Sequence, residues 1–412
     1  MPKNIIIDNG SYHIKYGDAS GEKPVHAQNC VIRTNDRRVL LGEALDPGTK
    51  IINDYSGIHF RRPIEHGQLT QWSVEKQIWD NSFAEEYFTD DWLKDSNLIY
   101  CETPFTLTLF QNLTDEVLFE EYDISNLYRC SSGSLMPWLS QNNAQYNDFQ
   151  LVIDSGFDST WVIPMIYGLP YWKGVRKMPI AGRFLNSYLR EIISFRHYDV
   201  TDEMVLVNNI KEKACYVTSD YEASLKKVEK QRKNRNLNDA GEISINYVLP
   251  DYKTTNIGYT VTDDKLAKMQ KQDTVQSLKL YDERFAIPEL LFHPELSGVH
   301  KAGIITTIKD SLKHVPALIR PLLTANMVVI GGTFNLSGFK ERLAQELKKE
   351  IPIDDEIIIH DFDQSKDLSE IGWYAGKQLF AKNGFEKVCV SREEYQELGA
   401  EYTQEKFGYK LP

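Results

Sequence analysis

"IIIDNGSYHIKYGD" from Ile5 to Asp18 and "LVIDSGFDSTWVIP" from Leu151 to Pro164 are two copies of one phrase. Each opens with an apolar run, closes it with Asp, a small polar residue and Gly, and resumes in alternation (Tyr12, Ile14 and Tyr16 in one copy, Thr160 and Val162 in the other). The run reads as a buried strand, the glycine as a tight turn and the alternation as a returning strand, so each copy predicts a hairpin with a polar tip. Glycine at such a tip lets backbone approach a ligand closely, successive N–H groups can form an anion nest, and the Asp can hold a hydrated divalent cation. Two facing tips would clamp a polyphosphate. One copy alone reads equally as ordinary turn punctuation. The copies lie too far apart for a solenoid of short repeats, which points to two related lobes.

A chain of 412 residues is too long for one simple core, so two or three domains or one bilobal body are expected. Its net charge of −12 opposes a surface built as a nucleic-acid sleeve. Cys30, Cys101, Cys130, Cys215 and Cys389 form no CxxC or Cys/His cluster, so neither a disulfide framework nor a zinc site is indicated and a reducing compartment is expected. The short apolar run before Asp8 is not an ordinary signal peptide, and no stretch approaches the roughly 18 apolar residues of a membrane helix. A soluble intracellular protein with no membrane partner is expected. His59, His66, His293 and His300 lack metal spacing. Trp72, Trp79 and Phe83 recur at helical spacing and read as core.

A third glycine site lies in "NMVVIGGTFNLSGFKERLAQELKKE" from Asn326 to Glu350. A buried strand passes through Gly331, Gly332 and Thr333 into a helix whose Phe339, Leu343 and Leu347 mark one apolar face. Strand, glycine turn and helix together let a ligand meet backbone and a helix N-terminus.

These segments, with "RRPIEHGQLTQWSVEKQIWD", "NNIKEKACYV", "YVLPD", "ERFAIPELLFHPE" and the closing "SREEYQELGAEYTQEKFGY", resemble the actin superfamily in its own order over nearly the whole chain. Within it, "HFRRPIEHGQLTQW", "DSGFDSTWVIP" and "LVNNIKEKACYV" most resemble the nuclear actin-related protein 6 family. The resemblance implies an α/β, actin and Hsp70-like bilobal fold, two related lobes of mixed sheets and helices around a nucleotide cleft. One lobe would comprise residues 1–145 plus 365–412, with a small outer subdomain at about 33–70. The other would be 146–364, with insertions near 221–243 and 251–282.

By the same resemblance, Asp8, Asn9, Gly10, Ser11 and Lys15 form a first phosphate loop and Asp154, Ser155 and Gly156 a second. Lys211 and Glu212, otherwise a solvated helix face, would contact adenosine, and Gly331, Gly332 and Thr333 would form the adenosine-side turn. The implied cofactor is ATP with magnesium, held structurally, with Asp8 and Asp154 reaching the metal through water. Departures matter as much. Phe157 and Asp158 replace Asp-Gly after "DSG", and like charges about 4 Å apart cost on the order of 1 kcal/mol in water and 4 at a protein-like effective dielectric. Asp158 is therefore expected to weaken phosphate binding. Trp161 stands where the family has a water-orienting His, Ser132 at or near its catalytic Gln, and Leu336 where a Tyr meets adenine.

No catalytic residue is therefore expected. The resemblance implies a scaffold subunit of a nuclear Swr-type chromatin-remodelling complex that exchanges the Z-variant histone. Its partners would be a HIT-type zinc-finger subunit and an insert of the remodelling ATPase. The alternative is an ATP-hydrolysing actin-like or kinase-like enzyme using Asp8 and Asp154 with magnesium. A filament former is opposed by the short stretch between Gly17 and Asp54, which lacks a subunit-gripping loop. Lys226, Lys227, Lys230, Arg232, Lys233 and Arg235 could meet a nucleosome, although charge runs are usually solvated faces. Leu266, Met269 and Val275 could anchor a partner helix or pack locally.

Overall fold

A computed structural model describes residues 2–33, 39–41, 59–87, 91–139, 148–233, 243–251, 257–270, 275–362 and 366–409. The two copies of the phrase build two sheets of the same plan. In the first, strand Asn4–Asn9 turns back antiparallel into His13–Asp18 and pairs on its other side, parallel, with Asn97–Cys101. In the second, Phe149–Ser155 turns back into Thr160–Ile166 and pairs parallel with Met327–Ile330. Val25–Gln28, Asn126–Cys130 and Val390–Ser391 complete the first sheet, and Leu169–Pro170, Arg176–Met178 and Ile359–His360 the second. The result is the two-lobed mixed α/β architecture of the actin fold.

Burial on both faces explains the unbroken apolar runs. Ile5 and Ile7 enter one core with Trp79 and Phe83, while Ile6 enters another with Ile99. The second copy repeats this: Leu151 and Ile153 face one core, and Val152 the core shared with Ile6. That shared core joins the lobes, for it also holds Val328 of the second sheet and Ile371 and Trp373 of helix Ile371–Ala381. Each fully buried Ile or Val contributes about 1.5–3 kcal/mol. Trp72, Trp79 and Phe83 are core, as their spacing predicts. The returning strand of the second copy departs from the expected alternation, since Thr160 through Met165 are all buried beneath helices and the other lobe.

The described residues of both insertions pack as local structure. Residues of the first form helix Tyr221–Lys233, whose Leu225 and Val228 pack on Phe285, leaving Lys226, Lys227 and Lys230 exposed. The side chains of Arg232 and Lys233, and all of Arg235, lie outside the described residues, as do 34–38 and 42–58, on which the filament reading turns. In the second insertion Leu266 and Met269 are not free anchors. They pack with Val248, Val261 and Val275 against a three-stranded sheet of Ile245–Val248, Tyr259–Val261 and Ser277–Leu280. Among the described residues no helix is long and apolar enough to cross a membrane.

Candidate functional site

The hairpin tips face one another across a cavity of about 540 Å³. Asp8, Asn9, Gly10, Ser11 and Lys15 line it from one side and Asp154 and Gly156 from the other. Lys211 and Glu212 of helix Met204–Ala214 and the turn Gly331, Gly332 and Thr333 line it too. Ser155 does not. It is fully buried, and its hydroxyl bonds that of Thr160 at 2.6 Å, because alternation along the strand points it away from the face that carries Asp154.

Each tip is held from behind. Gly10 O accepts from Asn29 Nδ2 at 3.1 Å and Ser11 O from Arg62 Nη1 at 3.1 Å. In the second tip Gly156 O accepts from Thr333 Oγ1 at 2.7 Å and from the Gly182 N–H at 3.2 Å, and Phe157 O accepts from the Arg183 N–H at 2.7 Å. These bonds fix the shape of both tips, and within them the Gly10 N–H donates to Asp8 O at 3.0 Å and the Gly156 N–H to Ser159 O at 3.2 Å. The glycines are sterically required in part: a Cβ on Gly10 would lie 2.6 Å from His13 O.

The floor is charged. Lys15 Nζ reaches Asp8 Oδ2 at 3.2 Å, and the Ser132 hydroxyl donates to Asp8 Oδ1 at 3.1 Å. Asp154 is pushed up to about 7, first by burial, then by the Asp8 charge, with Lys15 pulling the other way. An unfolded Asp titrates near 4, so between about pH 4 and 7 the folded chain keeps a proton that the unfolded chain has released. The stability this group supplies is full below about 4 and lost as pH rises through its folded value. Without divalent cation the melting temperature is expected to fall from pH 5 to 7.5, and Asp154→Asn to reduce that slope, measured by calorimetry. Glu75, pushed to about 7 by burial despite bonds from Asn9, Trp79 and Asn29, supplies a remaining slope in the same window, and His13, lowered to about 3, opposes both with a contribution that rises up to about pH 6.5. An unchanged slope in Asp154→Asn would remove Asp154 as its source.

Lys211 is not part of a solvated face. It is 6 % exposed, its ammonium donates to Asn208 Oδ1 at 3.0 Å, and burial lowers its pKa. The amide of Asn208 in turn donates to Glu212 Oε1 at 2.8 Å. Leu336 closes the cavity beside them.

Asp158 overturns the expectation of a repulsive carboxylate beside Asp154. Its Oδ1 lies 2.6 Å from Arg183 Nε, and its Oδ2 accepts the Gly67 N–H at 3.0 Å across the cleft. Its charge is therefore used in a bridge between lobes. Residues to which the sequence assigned no such contact extend that bridge. The Tyr12 and Phe157 rings meet at 4.8 Å, the Arg62 guanidinium lies 4.7 Å from the first and 5.1 Å from the second, and Lys177 Nζ donates to His66 O at 3.0 Å. The basic pair before Pro63 was the available signal. His13, in the same wall, is lowered to about 3 by burial and by Lys15, His26 and Arg62, so its imidazole is neutral.

The residues fit a magnesium nucleotide. The two glycine tips and Lys15 at the cavity suit phosphate oxygens, and Gly331, at φ +98°, lets its turn pack on the Ser155 backbone, which a Cβ would strike. Among the described residues no three His, Cys, Asp or Glu side chains group as direct metal ligands. Asp8 and Asp154 would hold magnesium through water, and the ion would neutralise phosphate charge.

Comparison with known proteins agrees with this geometry. The family model described as Actin matches residues 2–408. Proteins named Actin-like protein ARP6 are similar along their full length: 39% identical in Debaryomyces hansenii, 40% in Candida glabrata and 36% in Saccharomyces cerevisiae, each over 98% of both chains. The chain belongs to the actin family.

Proposed function

We propose that this chain is a non-catalytic scaffold subunit of a nuclear Swr-type chromatin-remodelling complex that exchanges the Z-variant histone, acting by binding a HIT-type zinc-finger subunit and the remodelling ATPase. Magnesium ATP, where bound, is a structural clamp that stabilises the closed lobes by mass action. The reading is supported most by the two water-handling positions. The Ser132 hydroxyl donates a hydrogen bond to Asp8, and Trp161 offers an indole N–H that donates a hydrogen bond and has no lone pair to accept a proton from water. Similarity to proteins named Actin-like protein ARP6 supports an actin-related reading over a kinase-like one. The exposed Lys226, Lys227 and Lys230 offer a nucleosome contact.

The test is reconstitution of the full chain with the zinc-finger subunit and the remodelling ATPase, followed by size exclusion, released-nucleotide chromatography and a phosphate-release assay on the isolated chain. Co-elution with no phosphate release above buffer is expected. Steady turnover would favour the ATP-hydrolysing alternative, and failure to co-elute would overturn the scaffold reading.

A further inference from the structure

Glu75, on helix Trp72–Tyr87, is fully buried behind the first hairpin tip. Its Oε1 accepts from Trp79 Nε1 at 2.9 Å and from Asn29 Nδ2 at 3.3 Å, and that same Asn29 amide holds Gly10 O. Asn9, the tip residue after Asp8, alternates onto the face of Ile7, the partner of Tyr100 across the parallel pair. There its amide lies beside the Glu75 carboxyl, and its Nδ2 donates to the Tyr100 hydroxyl at 3.1 Å. Glu75 Oε2 and the side-chain oxygens of Asn9 and Asn29 are buried with no hydrogen-bond partner among the described residues. Three acceptor atoms thus gather at one carboxyl, and buried polar atoms ordinarily have partners.

The charged and titratable groups around this carboxyl are engaged elsewhere. On its own helix Lys76 pairs with Glu121, and Asp80 accepts from the Tyr122 hydroxyl. From the other elements, Arg62 donates to the carbonyls of Ser11, Tyr12 and Asn29, Glu102 pairs with Arg129, and Lys15 and Asp8 bond each other on the cavity side. Tyr100 and Tyr122 are driven upward by burial first, so both hydroxyls are neutral. A proton on Glu75 Oε2 needs no further room and removes two of the three unpartnered atoms at once, because that oxygen becomes a donor and an asparagine oxygen beside it becomes the acceptor. Burial works in the same direction and lifts the carboxyl to about 7.

We infer that Glu75 is a proton switch for the first hairpin tip. With the proton bound, Glu75 Oε2 donates to Asn9 Oδ1, Asn9 Nδ2 stays on Tyr100, and the Asn29 amide keeps its hold on Gly10 O. When the proton passes to water, the carboxylate needs donors at both oxygens, and an ionised acceptor attracts N–H groups more strongly than a neutral one. The Asn9 amide then turns from Tyr100 to Oε2, and the Asn29 amide is drawn toward Oε1 at the expense of Gly10 O. The tip is therefore held below neutral pH and loosened above it.

The experiment is a nuclear magnetic resonance titration of the full chain without divalent cation, from about pH 5.5 to 8.5, with carbon-labelled glutamate carboxyls and nitrogen-labelled amides, for wild type, Glu75→Gln and Asp154→Asn. One wild-type glutamate carboxyl should titrate near pH 7, and the Asn9 side-chain and Gly10 backbone amide cross-peaks should move with the same midpoint. Glu75→Gln, whose carboxamide is a permanent donor, should lose that carboxyl resonance and hold both cross-peaks at their wild-type low-pH positions throughout. Asp154→Asn removes the other acid of similar range, and there both cross-peaks should still move. Tip cross-peaks that move in Glu75→Gln as in wild type, or that stop moving in Asp154→Asn, would overturn the assignment. Should Glu75→Gln not fold, wild type and Asp154→Asn decide: no glutamate carboxyl sharing a midpoint with the tip cross-peaks would overturn it too.

Discussion

Gly331→Ala is expected to destabilise the protein by about 3–5 kcal/mol, one of the largest losses from a single methyl group in this chain. Gly331 adopts φ +98° and ψ 145°, a backbone region that is costly for any residue with a Cβ. That Cβ would lie 2.3 Å from the carbonyl oxygen and 2.8 Å from the nitrogen of Ser155. These are backbone atoms of the strand that carries Asp154, so relief requires moving the second hairpin tip and not a flexible side chain. Its neighbour supplies the control, because a Cβ on Gly332 would meet only the Ser369 Cβ, at 3.6 Å. Gly332→Ala should cost less than about 1 kcal/mol, the scale of unfavourable surface changes. Urea unfolding of both variants reads the difference, and near-equal midpoints would show that the Gly331 turn relaxes without strain.

Arg129→Met should cost about 3–5 kcal/mol, the range for removing one partner of a buried ion pair. Arg129 side-chain exposure is 1% and that of Asp115 is 0%. The guanidinium makes two bonds to Asp115, at 2.9 and 3.1 Å, and a third to Glu102 at 2.9 Å. Without it, the buried Asp115 and the largely buried Glu102 face each other, with the Thr403 hydroxyl on Asp115 and the Gln111 amide on Glu102 as their remaining side-chain donors among the described residues. Thr403 belongs to helix Arg392–Phe407, so the damage should spread to the C-terminal helix. Hydrogen exchange should show lost protection there before the second lobe changes. A variant with wild-type protection in that helix would place the Arg129 cluster outside the coupling between chain ends. Combined with Asp115→Leu, the loss should be less than the sum of the single losses, since the unpaired charge is removed with its partner.

Much of the fold was legible because it rests on local pattern. Apolar runs ending at Asp8, Asp154 and Ile330 are strands buried on both faces, and such strands need no partner information to be read. The glycines after them mark turns for the same reason: φ and close approach restrict the residue type wherever they occur. Convergence of Asp8, Gly10, Asp154, Gly156, Gly331 and Thr333 on one cavity follows from two copies of one hairpin plan facing each other.

What the pattern could not supply is the direction in which side chains meet across long separations. Asp158 read as a repulsive charge, because Arg183 and the Gly67 N–H that absorb it lie on a following helix and on the opposite lobe. Lys211, apart from the resemblance, read as part of a solvated helix face, because only packing decides which helix face is covered; it is buried, while Glu212 beside it is exposed. Ser155 read as a loop ligand, although strand alternation turns it into the core beside Thr160. Composition and spacing alone therefore determined strands, turns and the repeated plan, which depend on neighbours within a few residues. Tertiary structure alone decided which charges are paired, which polar atoms are left for a ligand and where Trp161 points, since these are set by residues tens to hundreds of positions apart.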